Sequence, residues 1–188
     1  AANNDLVECS GTPGDLAEWY ETNEGVEAGD VVSSTQNEFS FDEELFDPNT
    51  GKPMGKTKYR TTNILAKSTL AYSNTIFGVV SESPLQTLGD AVVKAGAKNA
   101  KPIALVGRVP VKISTENGSV APGDYLTASS KFPGFAMKAT RSGNVIGTAI
   151  GYFPPQNLRG QEDSNQIDPV SGEILVFPAV VELRSILY

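Results

Sequence analysis

Asp15 and Glu18 are the two residues of this 188-residue chain whose types and spacing could support chemistry. On a helix over Thr12–Glu21, a spacing of three places both carboxyl groups on one face, within reach of one water molecule. One group could act as base and the other as acid if burial separates their pKa values. The same residues also fit an ordinary helix cap, with Asp15 as N-cap and Glu18 in the capping-box position.

The composition excludes several other kinds of site. The chain has no histidine and one cysteine, Cys9. It therefore cannot contain a Ser-His-Asp or Cys-His pair, a histidine-ligated metal, a zinc–thiolate centre or an internal disulfide. We expect no metal, no cofactor and no conventional enzyme active site.

The charges are unevenly distributed along the chain. The net charge is −7, but residues 1–48 carry 13 acidic residues and no base, whereas residues 49–188 carry 9 acids and 15 bases. An acidic protein of this kind is a poor partner for nucleic acid or anionic membrane. Either the acidic segment folds against the basic remainder of its own subunit, or opposite charges guide head-to-tail association between subunits.

Short runs rich in valine, isoleucine, threonine and aromatic residues alternate with Gly, Pro, Asn and Asp at about ten-residue spacing. This pattern predicts an all-β protein, an antiparallel β-sandwich or barrel-like domain with one short N-terminal helix over Thr12–Glu21. The predicted strands lie near residues 30–33, 59–67, 75–81, 103–114, 125–128, 136–140, 145–152 and 174–187.

An internal repeat indicates that the domain contains two related β units. Val26–Ser33 matches Val120–Thr127, and each copy is followed by a Lys-x-Thr and then by an apolar-Gly-apolar strand. The shared Gly-Asp predicts a turn in which glycine supplies a positive φ and the aspartate side chain accepts bonds from nearby backbone amides.

The chain divides into an N-terminal arm, residues 1–14, and a β-domain, residues 15–188, with an insertion at 34–62 and an exposed loop at 154–169. The N-terminal arm could add as a strand to a neighbouring subunit, with Leu6 and Val7 as anchors, or pack on its own subunit. Cys9 fits a partly buried small apolar residue or an intersubunit disulfide. No apolar run is long enough for a membrane span. The start at Ala1-Ala2 resembles a processed, exported chain.

An ordered set of motifs resembles the C-terminal domain of phage pre-neck-appendage tail spikes and related domains of secreted bacterial surface proteins. The motifs are Gly14–Glu21, Val26-x-x-Gly29-Asp30-Val31-Val32, Lys67–Thr69, Ile76–Ser81, Gly107–Lys112 and Pro122–Asp124. The resemblance implies a β-rich trimerising chaperone that cuts itself from its spike just before the Asp-x-x-Glu segment. Carried over, Asp15 and Glu18 are the working pair and the scissile bond lies near Gly14.

Three functions follow as expectations. The first is an exported structural protein, at the cell surface or on a virion appendage, that self-assembles as the subunit of an extracellular filament. The second is the self-cleaving, carboxylate-dependent chaperone of the resemblance. The third is a carbohydrate- or surface-binding β module, with Trp19, Tyr20, Tyr125 and Phe135 as contacts.

Overall fold

A computed structural model describes residues 14–153 and the backbone of the strand at 179–183. The predictions made for Leu6, Val7, Cys9 and the exposed loop at 154–169 lie outside the described residues. The all-β prediction is confirmed, because half of the chain is in strands and the described residues contain a single short helix.

Eleven strands and one helix make up the described structure. They are β1 (Asp15–Tyr20), β2 (Val31–Phe46), β3 (Pro53–Lys67), β4 (Ile76–Val80), β5 (Gln86–Leu88), α1 (Ala91–Lys94), β6 (Lys101–Val111), β7 (Ile113–Ser114), β8 (Tyr125–Ala128), β9 (Ala136–Lys138), β10 (Gly147–Ala149) and β11 (Ala179–Leu183). All the strands predicted from the sequence are present, with different limits at several ends, whereas β1 and β5 were not predicted.

The order of strands in the first half of the sheet recurs in reverse in the second half, and the two halves meet where β6 pairs with β11. The path runs β3-β2-β4-β6 and continues β11-β10-β8-β9, so β6 and β11 join two four-stranded units, and β7 follows β9 at the end of the path. β1 lies off this path, antiparallel to β6 and parallel to β5. Neighbours from β3 to β9 pair antiparallel, as expected when most consecutive strands are joined by turns rather than crossover helices, and on this path only β7 pairs parallel, with β9.

The registers of the two units agree residue by residue, which confirms the repeat. Val32 pairs with Lys67 and Gly78, and its counterpart Leu126 pairs with Lys138 and Gly147. The largest apolar cluster takes buried side chains from both units, including Val31 and Val79 from the first and Leu126 and Ile146 from the second. The two units therefore share one core.

The Gly-Asp turn has the predicted geometry in both copies. Gly29 and Gly123 have φ values of 80° and 92°. In each copy the aspartate carboxylate accepts the N–H of the residue three positions earlier, at 2.8 Å for Glu27 and 2.8 Å for Ala121. A side chain with a Cβ is strained at such a φ, which accounts for glycine before the aspartate.

Asp30 forms the centre of a buried charge cluster. Its side chain has 0% exposure, and its two carboxylate oxygens lie 2.8 Å from Lys112 Nζ and 3.2 Å from Lys67 Nζ. The equivalent Asp124 contacts one lysine, Lys138, at 2.8 Å and keeps 23% of its side chain exposed. The first copy of the turn therefore ties β2, β3 and the end of β6 together through one carboxylate.

The predicted N-terminal helix is wrong. Asp15–Tyr20 is the strand β1, paired with β6 on one side and β5 on the other. The capping pattern is a local signal worth about 1 kcal/mol, and two sheet partners satisfy more backbone groups than a two-turn helix could. The only described helix is α1, one turn after Asp90.

The segment predicted as an insertion, 34–62, extends two strands rather than forming a separate element. β2 and β3 run on beyond the core as a long antiparallel hairpin, which we call the ribbon arm and define as residues 38–63. Its tip is the turn Asp47–Lys52, in which the Asp47 side chain accepts the N–H groups of Asn49 and Thr50 at 2.8 Å each.

Replacing Asp30 should destabilise the fold more than replacing its counterpart. Asp30→Asn leaves two lysine ammonium groups beside a buried neutral amide, and we expect a loss of about 3–5 kcal/mol in unfolding free energy. Asp124→Asn removes one partly exposed ion pair and one capping bond, and we expect about 1–2 kcal/mol. Urea denaturation of each variant measures both values.

Asp90→Asn is the matched control, because Asp90 forms an ion pair with Lys94 while 69% of its side chain remains exposed. Its unfolding free energy should stay within error of the unsubstituted chain. Equal losses for Asp30→Asn and Asp90→Asn would show that the buried cluster does not hold the fold together.

Candidate functional site

Asp15 is the one predicted catalytic residue with an unusual environment. It begins β1 and is 3% exposed, and neither of its carboxylate oxygens has a hydrogen-bond partner among the described residues. The N–H of Leu85, the residue before β5, donates to the Asp15 carbonyl at 3.0 Å. A buried carboxyl without partners is costly in its charged form.

Burial raises the pKa of the Asp15 carboxyl above its usual value, and the nearby Ser81 hydroxyl opposes this only in part. A raised pKa means that the neutral carboxylic acid persists to higher pH than in an exposed aspartate. This is the direction of shift that a general acid requires.

The structure does not bring Glu18 to the same site, so the predicted carboxylate pair on one helix face is wrong. In a strand, residues three apart point to opposite faces. Asp15 shares the buried face with Ala17, whereas Glu18 lies on the face of Tyr20 and accepts the Tyr20 hydroxyl at 2.8 Å. The Glu18 carboxylate therefore cannot exchange a proton with Asp15 through one water.

The Gly14–Asp15 peptide, the bond that the resemblance marks for cleavage, is packed tightly against β6. The Gly14 carbonyl accepts the Arg108 N–H at 3.0 Å. Gly107 has a φ of 115°, and a Cβ there would collide with the Gly14 carbonyl oxygen and lie 2.6 Å from the Asp15 Cα. A glycine at 107 is needed for the chain to pass this close, a requirement that the sequence alone did not reveal.

The ribbon arm is a second candidate site, for contact rather than catalysis. On one face Phe39 and Phe41 stack with ring centroids 5.8 Å apart and are half-buried. On the other face Tyr59 keeps 68% of its area in solvent. Residues 53–61 of β3 are all exposed, and β3 is the outermost strand of the described sheet path.

The acidic first quarter is paired in part within the subunit. Arg60 Nε lies 2.7 Å from Glu43 across the ribbon arm, and Glu27 and Asp30 share Lys112. This supports the first of the two interpretations of the charge distribution, in which acids fold against the basic remainder of the same chain.

The remaining sequence candidates are dispersed. Trp19 and Tyr20 lie on β1, and Tyr20 packs edge-on against Phe77 at 4.8 Å, while Tyr125 lies on β8 and Phe135 just before β9. Within residues 14–153, no group of three or more Cys, Asp or Glu side chains could hold a metal ion. Over the same part of the chain, no helix is long and apolar enough to cross a membrane.

Comparison with protein-family models, with curated proteins and with solved structures gives no match to this chain. The resemblance stated from the motifs stays a prediction, and the site must be interpreted from its own geometry.

Asp15→Asn should stabilise the protein in a pH-dependent way. Because the folded-state pKa of Asp15 is raised, the folded chain holds this proton more tightly than the unfolded chain. The stability that the neutral acid supports is complete below the unfolded pKa and is lost as the pH rises through the folded pKa. The asparagine amide of the variant stays neutral throughout. In urea denaturation, the unfolding free energy of the variant should therefore increase relative to that of the unsubstituted chain as the pH rises from about 4 to about 8. An unfolding free-energy difference that does not change over this range would contradict the prediction.

Proposed function

We propose that this protein is a self-associating structural subunit, working outside the cell in a filament or appendage, and that the ribbon arm is its principal contact surface. The observation that carries the proposal is the ribbon arm itself. β2 pairs with β4 only over Val31–Ser33, so residues 38–63 form a two-stranded ribbon that pairs with no third described strand, although β2 also approaches α1.

A ribbon of this length gains stability from a partner. An isolated two-stranded hairpin is marginal in water, because one cross-strand interface does not compensate the entropy of ordering both strands. Stacked Phe39 and Phe41 and the Glu43–Arg60 ion pair are the main side-chain contacts within the ribbon arm. Contact with another subunit would bury its open face and supply the missing stabilisation.

The outer edge of β3 suits such a contact and limits what can bind there. An outermost strand presents a row of backbone N–H and C=O groups that can pair with a further strand. Lys56, Lys58 and Arg60 lie along this strand and repel a like-charged copy of it. The acidic β2 of another ribbon arm, with Glu38, Asp42 and Glu44 exposed, is a complementary neighbour.

Shortening the ribbon arm should abolish association and leave the domain folded. The variant removes residues 41–60 and joins Ser40 to Thr61, which face each other in the ribbon, through Asn-Gly. Sedimentation velocity should show assemblies for the complete chain and single chains for the variant, with similar thermal unfolding. Negative-stain imaging of the complete chain distinguishes open filaments from closed rings. A variant that assembles normally would exclude the ribbon arm as the contact surface.

A point substitution tests the open face of the ribbon arm with a matched control. Tyr59→Ser should weaken association about tenfold, because exposed aromatic side chains often dominate contact surfaces. Leu85→Ser is the control, since Leu85 is equally exposed, at 69% against 68%, but lies outside the ribbon arm. Equal effects of the two substitutions would count against a specific role for this face.

Self-cleavage at the Gly14–Asp15 bond is the second candidate, favoured by the buried Asp15 carboxyl, whose pKa is raised, beside that bond. As a water molecule adds to the Gly14 carbonyl carbon, this acid could protonate the leaving Asp15 amine, so that the bond breaks to a Gly14 carboxylate and a free Asp15 amine. Glu18 is on the opposite face of β1 and is not placed to assist.

Mass spectrometry of the complete chain after prolonged incubation tests this second candidate. Self-cleavage predicts loss of residues 1–14, abolished by Asp15→Ala. An unchanged mass for the unsubstituted chain would exclude it. If Asp15→Ala and Glu18→Ala both prevented the loss, the pair would act together in a conformation different from the one described.

A further inference from the structure

Tyr72 is held in a backbone conformation that tyrosine rarely adopts. Its φ is 59°, and it is the one residue other than glycine with a positive φ among the described residues. Such strain persists only where surrounding contacts fix it, and it concentrates at functional sites.

Three contacts fix Tyr72 against the second β unit. Its backbone N–H donates to Thr127 Oγ1 at 2.9 Å, and Thr127 Oγ1 donates in turn to the Asn144 carbonyl at 3.0 Å. Its hydroxyl accepts the Thr140 N–H at 2.9 Å. The ring supports the Arg141 guanidinium, whose carbon lies 4.0 Å from the ring centroid. Tyr72 thus positions both ends of the loop over residues 139–146.

The two units, which match in register elsewhere, differ here. Counting five residues on from the paired lysines Lys67 and Lys138 gives Tyr72 in the first unit and Gly143 in the second. These two residues meet, because a Cβ on Gly143 would lie 2.7 Å from the Tyr72 ring. Three residues on from the same lysines, the first unit has Leu70 and the second has Arg141. The Tyr72 ring of the first unit and the Arg141 guanidinium of the second unit therefore form a contact that has no counterpart between the same positions of the other unit.

A cavity of about 240 Å³ opens beside this contact. Its walls are Tyr125, Ala139, Thr140, Arg141, Ser142 and Val145. Its lining residues are one arginine, three residues with hydroxyl groups, one of which is also aromatic, and two small apolar residues. Its volume is below the range of about 300–1,000 Å³ that is typical for drug-sized ligands.

We propose that this cavity binds a small oxyanion, free or borne on an acidic sugar, with the Arg141 guanidinium as the anchor and the Thr140 and Ser142 hydroxyls as further donors. Guanidinium binds carboxylate and sulfate groups through paired N–H donors. The Tyr72 ring fixes the plane of the guanidinium before a ligand arrives, which lowers the entropy lost on binding.

The local charge supports an anionic ligand although the whole chain is acidic. Residues 125–152 contain three bases and no acid. Lys138 is already paired with Asp124. Arg141 takes part in none of the ion pairs between described residues. No described acid therefore pairs with the Arg141 guanidinium, whereas Lys67, Lys112 and Lys138 each form an ion pair with an acid of the same chain.

Amide NMR of the complete chain, titrated separately with sodium sulfate, sodium glucuronate and glucose, tests the proposal. Both anions should give saturable shifts at the amides of residues 140–142, and glucose should give none. Glucuronate binding at least about tenfold tighter than sulfate would assign the site to an acidic sugar, and equal affinities would assign it to a free oxyanion.

Arg141→Gln should weaken anion binding at least about tenfold, since it removes both the charge and the paired donors. Lys131→Gln is the matched control, because it makes the same charge change in the same segment outside the cavity and should change the affinity less than about twofold. Tyr72→Asn keeps a residue that tolerates the positive φ but removes the ring and the hydroxyl that hold residues 140 and 141, so it should weaken binding.

Several outcomes would overturn the proposal. These are an absence of saturable shifts with either anion, shifts spread over all surface bases, equal losses for Lys131→Gln and Arg141→Gln, or unchanged affinity in Tyr72→Asn. Because the oxyanion site and the ribbon arm share no residues, the oxyanion site can fail while the structural function stands, and the reverse also holds.

Discussion

The buried contact of Asp30 with Lys67 and Lys112 is the constraint on which the rest of the structure depends. Removing a carboxylate from water is costly unless positive charges and backbone donors surround it. Asp30 meets both conditions, and in doing so it fixes three segments: the turn before β2, the end of β3 and the end of β6. A Cβ on Gly134 would lie 2.8 Å from the Asp30 carboxylate, so the second unit also packs directly against this carboxylate.

The two units share a backbone plan and differ in what they add to it. The first continues into the ribbon arm, where the strands have left the core and present an open face and edge. The second has Gly143 against Tyr72 of the first unit, which leaves room for the tyrosine ring, and places the Arg141 guanidinium over that ring. The surfaces proposed for contact with other subunits and for recognition of a small anion therefore lie where the repeat is broken. Matching positions maintain the core, and unmatched positions are available for function.

Asp15 shows how strongly a residue's role depends on the element that carries it. On a helix it would have stood beside Glu18, and the two carboxyls could have shared a proton. On β1 the same spacing separates them by the thickness of the strand. Burial raises the pKa of Asp15 and leaves a single carboxyl beside the Gly14–Asp15 peptide. The capping pattern that suggested a helix was a short-range signal, and pairing with β5 and β6 overrode it.

The sequence by itself determined the all-β class, the positions of most strands, the Gly-Asp turns and the pairing of related units. These features depend on local properties: β-branched runs, turn residues, and a glycine that can adopt a positive φ before an aspartate. Only the tertiary structure decided that residues 34–62 extend two strands as the ribbon arm, that Asp30 binds two lysines distant in sequence, and that Arg141 lies over Tyr72. Each of these is set by contacts between segments 17 to 82 residues apart, and pattern and propensity along a single chain carry no information about such pairings.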